Sequence, residues 1–459
     1  MTDNRADAAS RCPWQDSAVP LYEGYEGTDR HELWESLRER FGQVAPVRLE
    51  PDLAAWLLLG YEENLAVLRD WSGYSRDTRR WREIREGRRE LGAELRPTMA
   101  YRSSALYCDG AEHARLIAPI ADALSKLSET RVRKDIGEVA DQLIDAFCER
   151  GEADLVGDYA ALLPPLLINR FFGLEDAYGY VLGHLSTTLW TTDGAVAADA
   201  VARMRDYFVG LVQHKRAEPG ADVTSWMMDH PAELTDAEMA DQLILLAGAG
   251  HEPTSNLLGN VLRLLLTDPG VAREYASGGV LLDEVVNHVI WTEPPMQALA
   301  ARFPTRDVTI DGTAIGAGEP LVIGFAAAHA DPRLGLTRHA PDSALPTGHN
   351  SAHLMWGAGE HRCPAQPLAQ QIVRIGVERL IDRLSGIRLA VDPAELRWRR
   401  EVFVRGLIEL PVSFTPVAAP ERPAPEAPAP PPEPERQDQT GPTDLLSRVL
   451  RWWRGRSRS

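Results

Sequence analysis

The chain has 459 residues, 44% of them hydrophobic and 25% charged, enough for one large enzyme domain or two to three ordinary ones around a sizeable core. Its 49 Lys and Arg against 67 Asp and Glu leave a formal charge of −18, which argues against nucleic acid as a partner because no basic surplus is available to neutralise phosphates. Four scattered cysteines, Cys12, Cys108, Cys148 and Cys363, make neither a disulfide framework nor a CxxC zinc pair and fit a reducing, cytoplasmic setting.

Residues 1–19 read as an N-terminal extension without the apolar stretch of a secretory signal, and no run of about 18 apolar residues predicts a spanning helix anywhere. From residue 20 onward helical periodicity dominates. Thr130–Arg150, Ala237–Gly250, Asn256–Leu266 and Leu368–Leu384 each place apolar residues three and four apart. Strand-like pieces are short: Ala55–Gly60, Asp307–Gly312, Ala314–Phe325 and Gly406–Phe414, predicting two small sheets, with a hairpin turn between Ile310 and Thr313. No repeat of 20 to 50 residues is visible, which excludes solenoids and propellers. The expected fold class is mainly α with minor β sheets.

Composition changes after Phe414. Residues 416–442 hold ten prolines interleaved with Ala and Glu and predict a semi-rigid, polyproline-like linker. Beyond it, residues 443–459 carry five Arg against one Asp, with Leu445, Leu446, Val449, Leu450, Trp452 and Trp453 interleaved. Two readings stand for this basic tail. One is a short amphipathic helix capped by Thr443 or Asp444 that offers Leu445 to Trp453 to a membrane surface or protein partner; the other is a solvated, disordered end, since isolated helices this short are marginal in water.

Around Cys363 the sequence runs His-Leu-Met-Trp-Gly-Ala-Gly-Glu-His-Arg-Cys-Pro-Ala-Gln-Pro-Leu. Pro364 suits the first position of the long helix that follows, which sets Cys363 at or just before a helix N-terminus, where amide N–H groups and the helix dipole stabilise a thiolate. Gly357 and Gly359 would let the backbone approach a flat cofactor closely.

This segment resembles the haem-binding loop of cytochrome P-450 proteins, Phe-x-x-Gly-x-x-x-Cys-x-Gly before a long helix, with Trp356, Gly359, Cys363 and Ala365 at the patterned positions. The resemblance extends over residues 20–415 and implies a haem-thiolate domain with the cytochrome P-450 fold, haem b as cofactor and Cys363 as the iron ligand. It assigns Ala249, Gly250, His251 and Glu252 to the oxygen-binding groove of the long distal helix. It assigns His113, Arg302 and His361 to the haem propionates, although the Arg expected four residues after His113 is Ile117.

Two departures stand out. The family's Glu-x-x-Arg pair falls on His288 and Trp291, and the third charge of that ion network falls on Gly348, so all three are absent together. This chain resembles an actinomycete-type subgroup with the same loss, and replacing a whole buried ion network by packed neutral groups can be energetically neutral. The second departure is Pro253 where the family has its oxygen-activating Thr; Thr254 follows it. Proline frees the carbonyl four residues back, here Ala249, so Glu252, that carbonyl and Thr254 form an alternative proton relay.

The expected function is therefore a haem-thiolate monooxygenase, or a peroxide-driven oxygenase if the relay fails, acting on a small apolar organic substrate. Electrons would come from a ferredoxin and its reductase, because the chain has no GxGxxG nucleotide fingerprint of its own. Selectivity is expected between about Leu163 and Gln213 and at Met296, Gln297 and Leu299. The rival is a low-turnover haem-binding interaction or sensing component, cytoplasmic and held peripherally at the inner membrane face by its tail.

Overall fold

The computed structural model describes residues 17–21, 30–51, 53–88, 99–188, 194–336, 345–420 and 443–456. Cys12, most of the N-terminal extension, the linker beyond residue 420 and the side chains of Thr443 and Asp444 lie outside the described residues. Helices of nine residues or more are, in chain order, α1 (Arg30–Phe41), α2 (Tyr61–Arg69), α3 (Gly110–Ser125), α4 (Glu129–Asp145), α5 (Leu163–Phe171), α6 (Asp176–Thr188), α7 (Gly194–Ala217), α8 (Asp236–Thr267), α9 (Pro269–Ser277), α10 (Leu282–Thr292), α11 (Gln366–Arg383) and α12 (Thr443–Arg456). Strands are β1 (Val19–Pro20), β2 (Val44–Glu50), β3 (Leu53–Leu58), β4 (Tyr74–Ser75), β5 (Glu152–Asp154), β6 (Leu299–Pro304), β7 (Val308–Ile310), β8 (Thr313–Ile315), β9 (Leu321–Ile323), β10 (Arg388–Leu389) and β11 (Pro411–Ser413). The chain divides into two compact units, one of residues 1–114, 268–363 and 398–406, the other of residues 115–267, 364–397 and 407–459.

The first unit is built on a six-stranded mixed sheet in the order β1-β2-β3-β9-β6-β4. Side chains alternate across it, so Leu57 joins the core of Trp34, Leu37 and Phe303 on one face, while Trp56 and Leu58 join Ile323 and Phe325 on the other. Two small sheets were expected; among the described residues three occur, the β7-β8 hairpin standing alone, and the first is larger than expected because β2 escapes a reading by propensity. Its Pro46 looks like a breaker, yet β1 pairs only with Val47 and Arg48, so no ladder bond is asked of the proline nitrogen there. The expected hairpin is β7-β8, closed by Asp311 and Gly312 at φ 48° and 76°, the left-handed pair of a type I′ turn.

Within this unit α10 clamps the segment leading into the cysteine loop. Trp291 Nε1 donates to the Asn350 carbonyl at 2.6 Å, His288 Nδ1 lies 2.8 Å from Thr347 Oγ1, and Asn287 Nδ2 donates to Gly348 O at 3.1 Å. A Cβ at Gly348 would stand 3.0 Å from the Glu284 carbonyl, so helix and segment touch backbone to backbone where an ion network would need room. His329 completes the clamp. Its Nδ1 lies 3.1 Å from Ile290 O and its Nε2 accepts from the Leu354 amide at 2.9 Å, while its ring sits 4.8 Å from that of Trp291. Met296, Gln297 and Leu299 belong to the packing of this unit: Gln297 is 3% exposed and exchanges backbone bonds with Phe403 and Ala326.

The second unit is helical with one three-stranded sheet, β10-β11-β5. α8 starts at a capping box in which the Glu238 amide donates to Thr235 Oγ1 and the Thr235 amide to Glu238 Oε2. α5 and α6 approach closely at Gly179, where a Cβ would meet Leu166 Cδ2 at 2.8 Å. Arg383 ties α11 to α4 through Asp141 and Asp145 at 3.2 and 2.7 Å. The end of α7 is fixed by buried Lys215, whose Nζ reaches Asp222 and the Gly173 carbonyl, both at 2.8 Å. α12 lies on α6 and α7, with Leu446 and Val449 buried, so the apolar stripe expected to face a membrane or partner is covered by the chain itself.

Two outcomes follow from the clamp. Trp291→Arg should cost about 3–5 kcal/mol, because a new buried charge meets a carbonyl and imidazoles in place of a carboxylate; a lower Tm is the readout, and an unchanged or higher Tm would sink the burial argument. Burial pushes His329 down to about 3 and His353 down to about 4. Both groups take up a proton near pH 6.5 when unfolded and resist it when folded, so their stabilisation is complete above pH 6.5 and is lost as pH falls toward their folded values. Each should remove about 1 kcal/mol per pH unit between pH 6 and 4.5. Urea unfolding against pH should therefore show a shallower slope in His329→Asn than in the wild type.

Candidate functional site

The cysteine loop is shaped by short backbone bonds. Gly357 N donates to Leu354 O and Cys363 N to Trp356 O, both at 2.8 Å, folding the loop so that Cys363 is half-buried. Gly357 and Gly359 both have φ of 71°, the left-handed region that favours glycine. A Cβ at Gly359 would lie 2.7 Å from the Leu68 carbonyl, so this glycine is required by the end of α2 and by its own backbone rather than by a flat ligand. The following helix begins at Gln366 with Pro367 in its first turn, not at Pro364, so Cys363 stands three residues ahead of it.

Beside the loop, in the same unit, six ionisable groups converge: Arg302, Arg76, Asp109, His113, His361 and Glu360, whose Oε1 lies 3.4 Å from His361 Nε2. Arg302, on β6, is 2% exposed; its Nε and Nη1 have no hydrogen-bond partner, and Nη1 is 3.9 Å from Asp109 Oδ1. Burial, aided by the nearby Arg76 charge, pushes the Arg302 guanidinium down to about 9. Arg76 is equally buried but satisfied, donating to the carbonyls of Leu106, Ala300 and Ala301. His361 Nε2 lies 3.3 Å from Asp109 Oδ1, and its ring meets that of His113 at 4.2 Å.

Burial pushes His361 down to about 3, against the pull of Asp109, and also lowers His113. For Asp109, burial pushes upward, but bonds from His361, Ser75 and the Arg76 amide outweigh it and leave the carboxyl below its usual range. A buried guanidinium with two unanswered nitrogens, next to two imidazoles, is a site built for an anion. The carboxylates of haem b have that chemistry, so the residues present fit the group that the loop resemblance implies. Asp109 and Arg76 were not singled out from the sequence; the available signal was Asp109 standing four residues before His113.

In the second unit, α8 runs unbroken through Pro253. Leu246, Gly250 and Thr254, four residues apart, form the row that faces a cavity of about 60 Å³, whose other walls come from Ile168, Phe171 and Phe172 around α5, Leu124, Val223, and Ala365, Leu368, Ala369 and Ile372 of the α11 region. Among the lining residues Thr254 is the one polar side chain. The structure thus brings Gly250, Thr254 and Ala365 to one cavity. Glu252 is buried and accepts from Asn256 Nδ2 at 3.2 Å, off that row, while Ala249 is exposed and His251 Nε2 lies 3.1 Å from Ala161 O.

No protein-family model matches the chain. It is 31% identical over 385 residues to the cytochrome P450 monooxygenase PikC of Streptomyces venezuelae, covering 81% of this chain and 88% of that protein. It is 30% identical to a mycinamicin IV hydroxylase/epoxidase of Micromonospora griseorubida, covering 84% and 98%. Among solved structures, CYP154A1 from Streptomyces coelicolor superposes with a TM-score of 0.75 at 28% identity over 87% of this chain and all of that one. Testosterone-bound CYP154C4 from a Streptomyces species gives 0.79 at 26% identity over 86% and 98%. These relatives are monooxygenases and hydroxylases, which favours an enzyme over a low-turnover sensing component. By sequence identity, coverage and fold, the chain belongs to the cytochrome P450 family of haem-thiolate monooxygenases, with haem b as its cofactor.

Proposed function

We propose that this P450 inserts oxygen into an apolar organic substrate, with Cys363 as the thiolate ligand of its haem and electrons delivered by a ferredoxin and its reductase. The observation that carries the reading is the cavity beneath α8, apolar on every side except for the Thr254 hydroxyl. Such a lining takes apolar groups by shape and hydrophobic contact, with Ala365 of the cysteine loop in one wall, and leaves one group to present a proton. The hydroxylase and epoxidase relatives support oxygen insertion, and the absence of a nucleotide fingerprint in the sequence supports an external reductase.

The bound haem supplies oxygen activation, with its thiolate donating electron density that favours O–O cleavage. The protein's part is to hold and to protonate. Arg302, His113 and His361 bind the two carboxylates, and the anion converts the buried Arg302 cation from a cost into a charge-assisted pair. Thr254 Oγ holds a proton at the cavity wall. Glu252, tied to Asn256, is the reserve acid one half-turn before it, and Pro253 leaves the Ala249 carbonyl without its usual helix donor, an acceptor for water in the relay.

Cys363→Ser should abolish the thiolate absorption signature of the reduced, carbon monoxide-bound protein while far-UV circular dichroism stays helical; persistence of that signature would assign another ligand. Arg302→Met should lower haem affinity by roughly 10-fold or more, one charge-assisted bond's worth, and raise the Tm of haem-free protein because an unanswered buried charge is removed. If both quantities fall, Arg302 is structural.

The relay is tested by counting peroxide against product per electron pair. Thr254→Val should reduce coupled turnover by about 10²-fold, the usual contribution of a positioned proton donor, and divert electrons to peroxide. Pro253→Thr should improve coupling if the native relay leaks. Tight coupling in the wild type with no gain in that variant would show that Thr254 suffices, and product formed better with added peroxide than with a ferredoxin system would identify a peroxide-driven oxygenase.

A further inference from the structure

We propose that Asp109 is a resident counter-ion of the anion site, lending Arg302 its charge without a hydrogen bond, and that it competes with a carboxylate of the haem for that guanidinium. The inference rests on reading this site as the one that binds the haem carboxylates. Asp109 immediately precedes α3 and is pinned from three directions. Its Oδ1 accepts from the Arg76 amide at 3.0 Å and lies 3.3 Å from His361 Nε2, while its Oδ2 accepts from the Ser75 hydroxyl. Held in this way, Oδ1 stops 3.9 Å from Arg302 Nη1, too far for a hydrogen bond, and Nε and Nη1 keep their donors open.

The charges that bear on Arg302 are formally even. Arg302 and Arg76, both 2% exposed, repel each other, and the charges of Asp109 and Glu360 oppose that repulsion. Glu360 is itself held in place, its Oε1 accepting from the Gly110 amide at 3.2 Å. Burial, with the Asp109 charge adding to it, raises the Glu360 carboxyl, the direction expected where negative charge is already plentiful. A carboxylate ligand therefore brings the acceptors that Arg302 lacks, and with them a surplus of negative charge beside Asp109. The first effect favours binding and the second opposes it. Asp109 thus exchanges affinity for stability, supporting two buried cations in the haem-free protein and loosening the hold on haem.

The test compares the wild type with Asp109→Asn, a neutral side chain of the same shape. Transfer of haem from loaded protein to excess apomyoglobin is followed by absorbance, and the Tm of haem-free protein by circular dichroism. Asp109→Asn should lose haem about tenfold more slowly, the order of effect of one nearby charge, while its haem-free Tm falls. Because loss is read from loaded protein, it stays measurable even where the haem-free variant does not remain folded. Two controls separate charge from shape. Iron protoporphyrin IX dimethyl ester, which has no carboxylate, should leave both proteins at the same rate, and in an Arg302→Met background Asp109→Asn should no longer slow haem loss. Haem loss that is unchanged or faster in Asp109→Asn, or slowed equally for the ester, would overturn the counter-ion role. Release of haem and its ester at the same rate by the wild type would instead strike the carboxylate reading of the site, and the proposal with it.

Discussion

A guanidinium buried to 2% exposure with two nitrogens lacking any protein acceptor is the constraint around which the first unit is arranged. Desolvating such a cation costs several kcal/mol unless a partner answers it. Its neighbour Arg76 shows how the fold satisfies a buried arginine when the purpose is structural, by three main-chain carbonyls. Arg302 receives no such answer, and Asp109, the nearest carboxylate, is already engaged by Ser75, His361 and the Arg76 amide. The imidazoles of His113 and His361 stay neutral beside two cations, ready to donate to an anion without adding to the repulsion. An anionic ligand would complete the hydrogen bonding that the protein leaves open at Arg302.

The loop that carries Cys363 is held by a different economy of charge. α10 grips its leading segment with an indole N–H, an amide and an imidazole, and His329 bridges α10 to the Leu354 amide. Neutral hydrogen bonds avoid the desolvation penalty of an ion network and allow the close backbone approach at Gly348. They also transfer the sensitivity of the region from salt to acid, because buried neutral histidines resist protonation only in the folded state. His288, Trp291 and Gly348 thus form a neutral, closely packed set held by aromatic and imidazole contacts.

In the second unit, one row of α8 decides the chemistry of the cavity. Leu246, Gly250 and Thr254 share a face because four residues nearly complete a helical turn, and Glu252 and Pro253 fall off it for the same reason. The proline at 253 thus coexists with a hydroxyl one position later on the cavity side. The wall opposite is carried by α5, where Asn169 and Phe172 meet Tyr207 and Phe208 of α7, and α12 lies on α6 and α7.

What the amino-acid sequence determined by itself were features encoded within one turn or one element. These include the period of the long helices, the Asp311–Gly312 hairpin, the amphipathic stripe of the tail and the loop pattern around Cys363, and with that pattern the family. The register of the family pattern also pointed to His113, Arg302 and His361. Only the tertiary structure decided that Nε and Nη1 of Arg302 lack hydrogen-bond acceptors while Arg76 has three, that Asp109 stands among them, that His329 reaches the loop, that Gly359 answers to α2 and that the tail stripe is already covered. Local pattern states which side chains share a face. Whether a donor finds an acceptor, or an apolar stripe a partner, depends on residues tens to hundreds of positions away, and that information exists only once the chain has folded.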